Sequence, residues 1–353
     1  MSIRSAVPFL VAFAALAASP PQGWEEAWTL DLSRGASARP VWADSLILVA
    51  SLDRNVHLVQ PGGEPRVVWK GNYRGGFEAA PVLDGNRIYL AETARGRRLL
   101  ALDRRSRETA WTADAGDLVA RPVVDGGTVY TVSSLGQVMA WNSATGVERW
   151  RTQLETRVVA TPALLGDRLV VAASDGRLFA LVAESGVLAG ESDPEAGPIQ
   201  GDPAPSPDTP GAALFASLEG QVIEVDGELQ VTDRRSFPSS FYAGPVVEGG
   251  RVLLSGHEGT VWAYDWAAAE VEWRHEGLGA LRAAPATGRE LVAVGDLGGT
   301  LYVLDPATGE LRWHARLNDA VTASPLTSGA RIYAVTERGR LYAFHPTGPG
   351  SAP

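Results

Sequence analysis

Short apolar runs separated by turn residues recur along nearly the whole chain. Between residues 122 and 150, apolar runs at 129–132 and 138–141 are separated by a turn at Gly136, and a further turn at Gly146 precedes Trp150. The runs are rich in Val, Ile, Tyr and Leu, and glycine supplies the positive φ that tight hairpins require. The pattern predicts short antiparallel strands, and no helical periodicity competes with it.

A proline with a small residue within the two preceding positions opens each unit of this pattern. These anchor prolines follow one another at intervals of 40 to 42 residues, at Pro40, Pro81, Pro122, Pro162, Pro203, Pro245, Pro285 and Pro325. Repeats of about 40 residues with four strands are typical of propeller blades, which pack radially because one blade cannot bury both of its faces. The sequence therefore predicts an all-β fold, an eight-bladed β-propeller of four-stranded antiparallel blades.

The fourth strand of a unit commonly carries a tryptophan, as at Trp69, Trp111, Trp150, Trp273 and Trp313. The eighth unit ends near Gly348 without one, whereas Trp28 stands alone 12 residues before Pro40. The segment around Trp28 is therefore predicted to be the outer strand of the last blade, so that residues 24–348 close into one ring.

Composition and net charge argue against two classes of protein, helical bundles and nucleic-acid-binding proteins. The 39 glycines and 23 prolines argue against a helical bundle and suit short strands joined by tight turns. A formal net charge of −10 argues against a phosphate-binding surface, so no nucleic-acid partner is expected.

The first residues are predicted to direct export. Arg4, an apolar run from 7 to 17 and the small residues around Ala17 indicate a signal peptide over residues 1–18, cleaved after Ala17 or Ala18. A membrane anchor is the alternative, but the run is shorter than the ~20 residues of a spanning helix. The chain has no cysteine for a lipid anchor. A soluble periplasmic or secreted monomer without a transmembrane segment is expected, with a disordered tail at 349–353.

One segment carries a family resemblance. Residues 301–313 read Leu-Tyr-Val-Leu-Asp-Pro-Ala-Thr-Gly-Glu-Leu-Arg-Trp, and residues 142–150 are a second copy. They resemble the tryptophan-docking motif of pyrroloquinoline-quinone-type propellers, and the resemblance covers residues 28–348. It implies that the tryptophans pack between blades, each positioned by a Thr-Gly turn, which assigns a structural role to Trp28, Trp69, Trp111, Trp150, Trp273 and Trp313.

Within that family, an exported eight-bladed chain of fewer than 400 residues is similar to scaffold proteins of outer-membrane β-barrel assembly. The resemblance implies a non-catalytic protein-binding scaffold without a cofactor, whose partners are envelope or outer-membrane assembly proteins. The quinone-dependent dehydrogenases of the same superfamily are typically much longer and use a vicinal disulfide and a calcium site. This chain has neither cysteines nor the spacing of a calcium loop. Its five histidines are scattered, so no metal site is predicted. A quinone-dependent dehydrogenase and a periplasmic ligand or polysaccharide binder are the alternatives.

Two segments depart from the repeat, and such departures are where features specific to this protein are expected. After Leu188, in what is taken as the fifth blade, the tryptophan is missing and a proline-rich stretch covers 193–210; the next unit also lacks it, at 233–242. We expect an exposed partner surface there, although simple decay of the repeat is the alternative. The resemblance to the assembly scaffolds carries over only to Ile199 and Gly201, because Gln200, Ser240 and Tyr242 depart from their pattern. The candidate partner-binding residues are Ile199, Gly201, Arg234, Arg235, Phe237, Phe241 and Tyr242.

The residues just before the anchor prolines form a second candidate surface. In a propeller they line the axial funnel, and here they carry mixed charge at Arg39, Glu78, Arg121, Arg157, Asp202 and Arg282. Such a mouth can hold a polar ligand or a peptide segment. A merely solvated rim is the alternative.

Overall fold

The computed structural model describes residues 23–32 and 38–347, so the predicted signal peptide and C-terminal tail lie outside the described residues. The described chain forms eight four-stranded antiparallel sheets arranged in a ring, and it contains no helix. The prediction of an eight-bladed β-propeller is confirmed. Within the described residues there is consequently no helix of the length and hydropathy needed to cross a bilayer.

Each blade runs from an innermost strand to an outer strand. The innermost strands are β2 (Val41–Ala43), β6 (Val82–Asp84), β10 (Val123–Asp125), β14 (Ala163–Leu165), β18 (Ala204–Pro205), β22 (Val246–Glu248), β26 (Ala286–Gly288) and β30 (Leu326–Ser328). The second strands are β3 (Leu46–Ala50), β7 (Arg87–Ala91), β11 (Thr128–Val132), β15 (Arg168–Ala172), β19 (Ala212–Ala216), β23 (Arg251–Gly256), β27 (Leu291–Gly295) and β31 (Arg331–Val335). The third strands are β4 (Asn55–Gln60), β8 (Arg98–Asp103), β12 (Gln137–Asn142), β16 (Leu178–Val182), β20 (Gln221–Asp226), β24 (Thr260–Asp265), β28 (Thr300–Leu304) and β32 (Arg340–Thr347). The outer strands are β5 (Arg66–Asn72), β9 (Thr109–Asp114), β13 (Glu148–Gln153), β17 (Leu188–Ser192), β21 (Val231–Ser236), β25 (Glu270–His275), β29 (Leu311–Arg316) and β1 (Gly23–Asp31).

The hydrophobic core lies between neighbouring blades. Between blades three and four, for example, Tyr130 and Val138 pack with Leu169 and Phe179 in one buried cluster. Second and third strands are buried on both faces, which is why they are apolar runs without alternation, whereas outer strands such as β13 alternate between exposed and half-buried residues. Each blade thus depends on its two neighbours for burial.

The two ends of the described chain meet in blade eight. β1 pairs antiparallel with β32, from Gly23 opposite Thr347 to Asp31 opposite Arg340. Asp31 also forms an ion pair with Arg340 at 2.6 Å. The predicted closure of the ring by the N-terminal strand is confirmed.

The docking tryptophans bridge successive blades. The Trp150 indole covers Gly186 in the third turn of blade four so closely that a Cβ there would collide with it, and its Nε1–H donates to the Ala183 carbonyl at 2.9 Å. Trp111 and Trp273 make the same bond to Ser143 and Pro306 at 3.0 Å, and Trp28 donates to Pro61 across the closure at 3.1 Å. Trp69 is half-buried in the core between blades one and two, and Trp313 packs on Phe344, with ring centroids 5.1 Å apart. These six residues act between blades as packing groups.

The outer strands without a tryptophan are β17 and β21, which belong to blades four and five. The assignment of the first break to blade five is therefore wrong by one blade. Gly190 occupies the tryptophan position, opposite Ala180 as Trp150 is opposite Ala140. Its Cβ position lies 3.6 Å from Leu229, a buried residue in the third turn of blade five.

In blade five the tryptophan position is Asp233, opposite Glu224. Here the third turn of blade six sends Trp266 back into the interface, where its Nε1–H donates to the buried Glu224 carboxylate at 2.8 Å. Ser206 and Thr232 donate to the same carboxylate at 2.9 and 2.8 Å. The missing side chains of blades four and five are therefore replaced from the following blade.

Candidate functional site

An axial channel opens at the end of the ring where outer strands connect to the next innermost strand. Its mouth has a volume of about 870 Å³ and is lined by polar residues that include Glu78, Asp117, Arg157, Tyr242 and Arg282. An adjoining cavity of about 410 Å³ shares Glu78, Tyr242 and Arg282 with the mouth. That cavity adds Arg39, Arg121 and Asp202. The structure thus brings all six residues of the predicted axial funnel to one channel.

The connecting loops present these side chains because backbone hydrogen bonds fix each loop. Residues of the second turn donate to it, as Ser134 does to the Asp117 carbonyl and Ser174 to the Arg157 carbonyl, both at 2.8 Å. His257 makes the equivalent bond to Ser240 at 2.9 Å. The charged residues that line the channel stand one, three or five positions before an anchor proline.

The deep part of the channel holds a charged cluster. Arg121 forms an ion pair with Asp202 at 3.5 Å, and the buried Thr161 hydroxyl hydrogen-bonds to the same carboxylate. Loss of hydration lowers the pKa of Arg39, the positive charge of Arg121 lowers it further, and Asp202 opposes both effects. Asp202 therefore acts electrostatically on both arginines but forms an ion pair with Arg121.

The mouth has an acidic side at blades two and three. Partial burial raises the pKa of Glu78, and the nearby charge of Asp117 raises it further. Asp117 is already engaged, since it accepts hydrogen bonds from the Ala94 amide at 2.6 Å and the Ser134 hydroxyl at 3.2 Å. Glu78 is therefore the acidic group left for a ligand on this side.

On the opposite side, at blades six and seven, Tyr242 contacts both Arg282 and His257. The Arg282 guanidinium lies 4.7 Å from the centroid of the Tyr242 ring, and the His257 ring lies 4.9 Å from Tyr242 on centroids. His257 Nδ1–H donates to the Leu281 carbonyl, next to Arg282, at 3.1 Å. Sequence reasoning treated His257 as a scattered histidine. Tyr242 and Arg282 both stand three residues before their anchor prolines on adjacent blades, which places them at the channel, but no sequence signal indicated the contact of His257 with Tyr242.

The apolar candidates in the irregular segments of blades four to six are buried, whereas Arg234 is exposed as expected. Ile199 and Phe241 are fully buried and Phe237 is 8% exposed, so the expectation that they form an exposed rim is wrong. The reason is that the loops fold inward over the core between blades, where Phe237 and Phe241 pack on Trp262 with centroids 5.8 Å from its ring. Ile199 likewise forms a β-bridge with Ser217.

The other candidates of that rim also have local partners. Gly201 lies so close to the backbone of Gly244 that no side chain would fit. Arg234 donates to the Pro194 carbonyl, and Arg235 pairs with Asp233 and lies over the Trp266 ring at 5.3 Å. Of the seven proposed partner-binding residues, Tyr242 and Gly201 line the channel, and of these two only Tyr242 contributes a side chain.

The sequence model of the family described as outer membrane protein assembly factor BamB matches residues 14–120, 95–279 and 273–349. The chain belongs to this family. BamB of Burkholderia pseudomallei is 25% identical over 280 residues, which cover 72% of this chain and 70% of that protein. The serine/threonine-protein kinase AfsK of Streptomyces coelicolor is 27% identical over 292 residues, which cover 78% of this chain but only 34% of the kinase.

Solved structures agree on the architecture. BamB from Moraxella catarrhalis superposes with a TM-score of 0.74 at 19% identity, covering 91% of this chain and 99% of that one. At this identity the likeness concerns the fold alone. Among the described residues of this BamB-family chain, no group of three His, Cys, Asp or Glu side chains is arranged to hold a metal ion.

Proposed function

We propose that this chain is an exported, non-catalytic propeller that binds proteins of outer-membrane β-barrel assembly and holds them together. The observation that carries the proposal is the family match, which extends over nearly the whole chain, from residue 14 to residue 349. The relatives named as outer membrane protein assembly factors support the same role, with periplasmic location as a consequence.

The packing described above supports a scaffold. The departures from the repeat that looked functional in blades four to six are filled by interblade contacts of Leu229, Trp266 and the loop aromatics. These loops therefore serve the packing of the ring itself, which suits a protein that positions partners without a reaction of its own.

The direct test is capture by the full-length exported chain in its own organism. Cells expressing a C-terminally tagged chain are cross-linked, the envelope is solubilised, and the bound proteins are identified by mass spectrometry. We expect enrichment of an outer-membrane β-barrel assembly protein over a control capture with an unrelated tagged periplasmic protein. Equal recovery in both captures contradicts the scaffold role.

Export and the absence of catalysis are tested separately. The mature protein should fractionate with the periplasm and begin after Ala17 or Ala18, and a chain that keeps residues 1–17 would refute cleavage. Purified protein incubated with pyrroloquinoline quinone and calcium should not reduce a redox dye in the presence of alcohols or sugars. Steady turnover in that assay would overturn the non-catalytic assignment.

A further inference from the structure

The axial channel contains arginines that form no ion pair with its acidic residues. Within residues 23–32 and 38–347, no ion pair involves Arg39, Arg157 or Arg282, whereas Arg121 is paired with Asp202. The protein as a whole carries a formal charge of −10, so a group of unpaired arginines in a concave site is unusual for this chain. Unpaired guanidinium groups that converge on a cavity are suited to bind an anion.

Arg282 is held in place before any ligand arrives. The guanidinium lies on the face of Tyr242, and Tyr242 is in turn supported by His257, which is bonded to the backbone beside Arg282. This cation–π contact restrains the guanidinium, and no hydrogen bond or ion pair within the described residues engages its N–H donors. Because little side-chain freedom remains to be lost, an anion that meets this edge binds at a smaller entropic cost than at a mobile arginine.

The geometry and the surrounding charges select the kind of anion. A planar guanidinium fork matches the two oxygens of a carboxylate. Glu78 and Asp202 also face the channel and would repel a ligand with high negative charge. The volume of the mouth, about 870 Å³, lies in the range of small-molecule sites.

We propose that the channel mouth is a binding site for a small organic carboxylate, with Arg282 as the fixed anchor and Arg157 or Arg39 as the second cation. The carboxylate can belong to a free metabolite or to the C-terminal end of a peptide, since both present the same group. This site is independent of the scaffold function proposed above and does not require its partner.

Binding is measured by isothermal titration calorimetry on the purified mature protein at low ionic strength. The probes are lactate, the tetrapeptide Gly-Gly-Gly-Phe with a free carboxylate, the same peptide amidated at its C-terminus, and inorganic phosphate. We expect saturable binding of lactate or of the free peptide, with phosphate and the amidated peptide weaker by about tenfold or more. Lactate alone indicates a metabolite site, and the free peptide alone indicates a chain-end site.

Two variants separate this site from a general surface effect. Arg282→Gln should weaken the binding of the carboxylate by about tenfold, since a charge-assisted hydrogen bond is lost. Arg289→Gln is the matched control, because Arg289 is an exposed arginine of the same blade in the hairpin turn at the other end of the ring. Unchanged circular dichroism spectra establish that both variants are folded. The proposal is overturned by an absence of saturable binding of either carboxylate up to about 10 mM, or by equal affinity of wild type and Arg282→Gln.

Discussion

Two kinds of blade interface exist in this ring, and they fill the same space from opposite sides. Between blades three and four, Trp150 extends forward from an outer strand and rests on Gly186 of the next blade. Between blades five and six, Trp266 extends backward from a turn and bonds to Glu224 of the preceding blade. The forward type occurs where the outer strand keeps its tryptophan, and the backward type where it does not.

The comparison shows that the propeller requires a filled interface and not a particular residue at a particular position. Close packing penalises an empty volume as strongly as it penalises a lost contact. Blade four lost the tryptophan at Gly190, and Leu229 of blade five occupies the space. The forward tryptophan bonds to a neutral carbonyl, whereas the backward tryptophan bonds to a buried carboxylate that needs further donors. The backward interface is therefore the more polar and the more pH-sensitive of the two.

The largest effect is expected at the closing interface, the one place where adjacent strands of a blade are not connected by a turn. Deleting β1 removes Trp24 from the core between blades seven and eight and Trp28 from the core between blades eight and one, and it exposes the edge of β32. We expect a loss of about 5 kcal/mol or more, a large part of the stability of an ordinary domain, together with aggregation through the free edge. Thermal unfolding of chains beginning at Gly23 and at Leu32 measures the difference. An identical melting curve for the two chains would refute the closure.

The forward interface is tested by Trp150→Ala. The half-buried indole and its hydrogen bond to Ala183 are both lost, so we expect a decrease of about 3–5 kcal/mol in the free energy of unfolding. Val147→Ala in the same hairpin is the control, because Val147 is 64% exposed and should change stability by no more than about 0.5 kcal/mol. Urea unfolding supplies both values. A cost below about 1 kcal/mol for Trp150→Ala would show that the tryptophan does not carry the interface.

The two interfaces are compared directly by replacing each indole with the smaller ring of phenylalanine, which has no N–H donor. Both substitutions lose part of the ring volume. Trp266→Phe also leaves the buried Glu224 carboxylate short of one donor, whereas Trp150→Phe frees a neutral carbonyl, so we expect Trp266→Phe to be the more costly change by about 1 kcal/mol. The same urea titrations apply. If Trp150→Phe proves the more costly change, the carboxylate does not distinguish the backward interface.

The smallest effect concerns pH. Burial would raise the pKa of Glu224, but hydrogen bonds from Thr209, Thr232, Ser206 and Trp266 outweigh it and hold the pKa below its ordinary value of 4.5. A carboxyl whose folded pKa is depressed stabilises the protein above its unfolded pKa and loses that contribution as pH falls through the folded pKa. The stability advantage of wild type over Glu224→Gln should therefore be constant from pH 7 to about 5 and shrink below about pH 4. Urea unfolding at several pH values checks this, and an advantage that grows on acidification would reverse the assigned sign.

The repeat made the ring, its blade number and its closure predictable, because the anchor prolines and tryptophans report local rules that every blade obeys. The channel residues were also predictable, since their offset from the anchor sets their direction. The roles of Ile199, Phe237 and Phe241 were not, because a loop pattern does not show whether an apolar side chain turns outward or covers a neighbour. The direction of Trp266 could not be predicted from the sequence either, because this side chain fills the space left by the missing tryptophan of blade five.

The register of the closing strand also determines how the ring responds to mechanical force. Because β1 and β32 run antiparallel with Gly23 opposite Thr347, both chain ends leave the ladder at the same end. Pulling those ends apart loads one backbone pair at a time and peels the two strands like a zipper. A force along the strands would instead load all pairs together. The ring is thus closed most weakly against tension between its own two ends, and a partner that held β1 and β32 side by side would protect it from such tension.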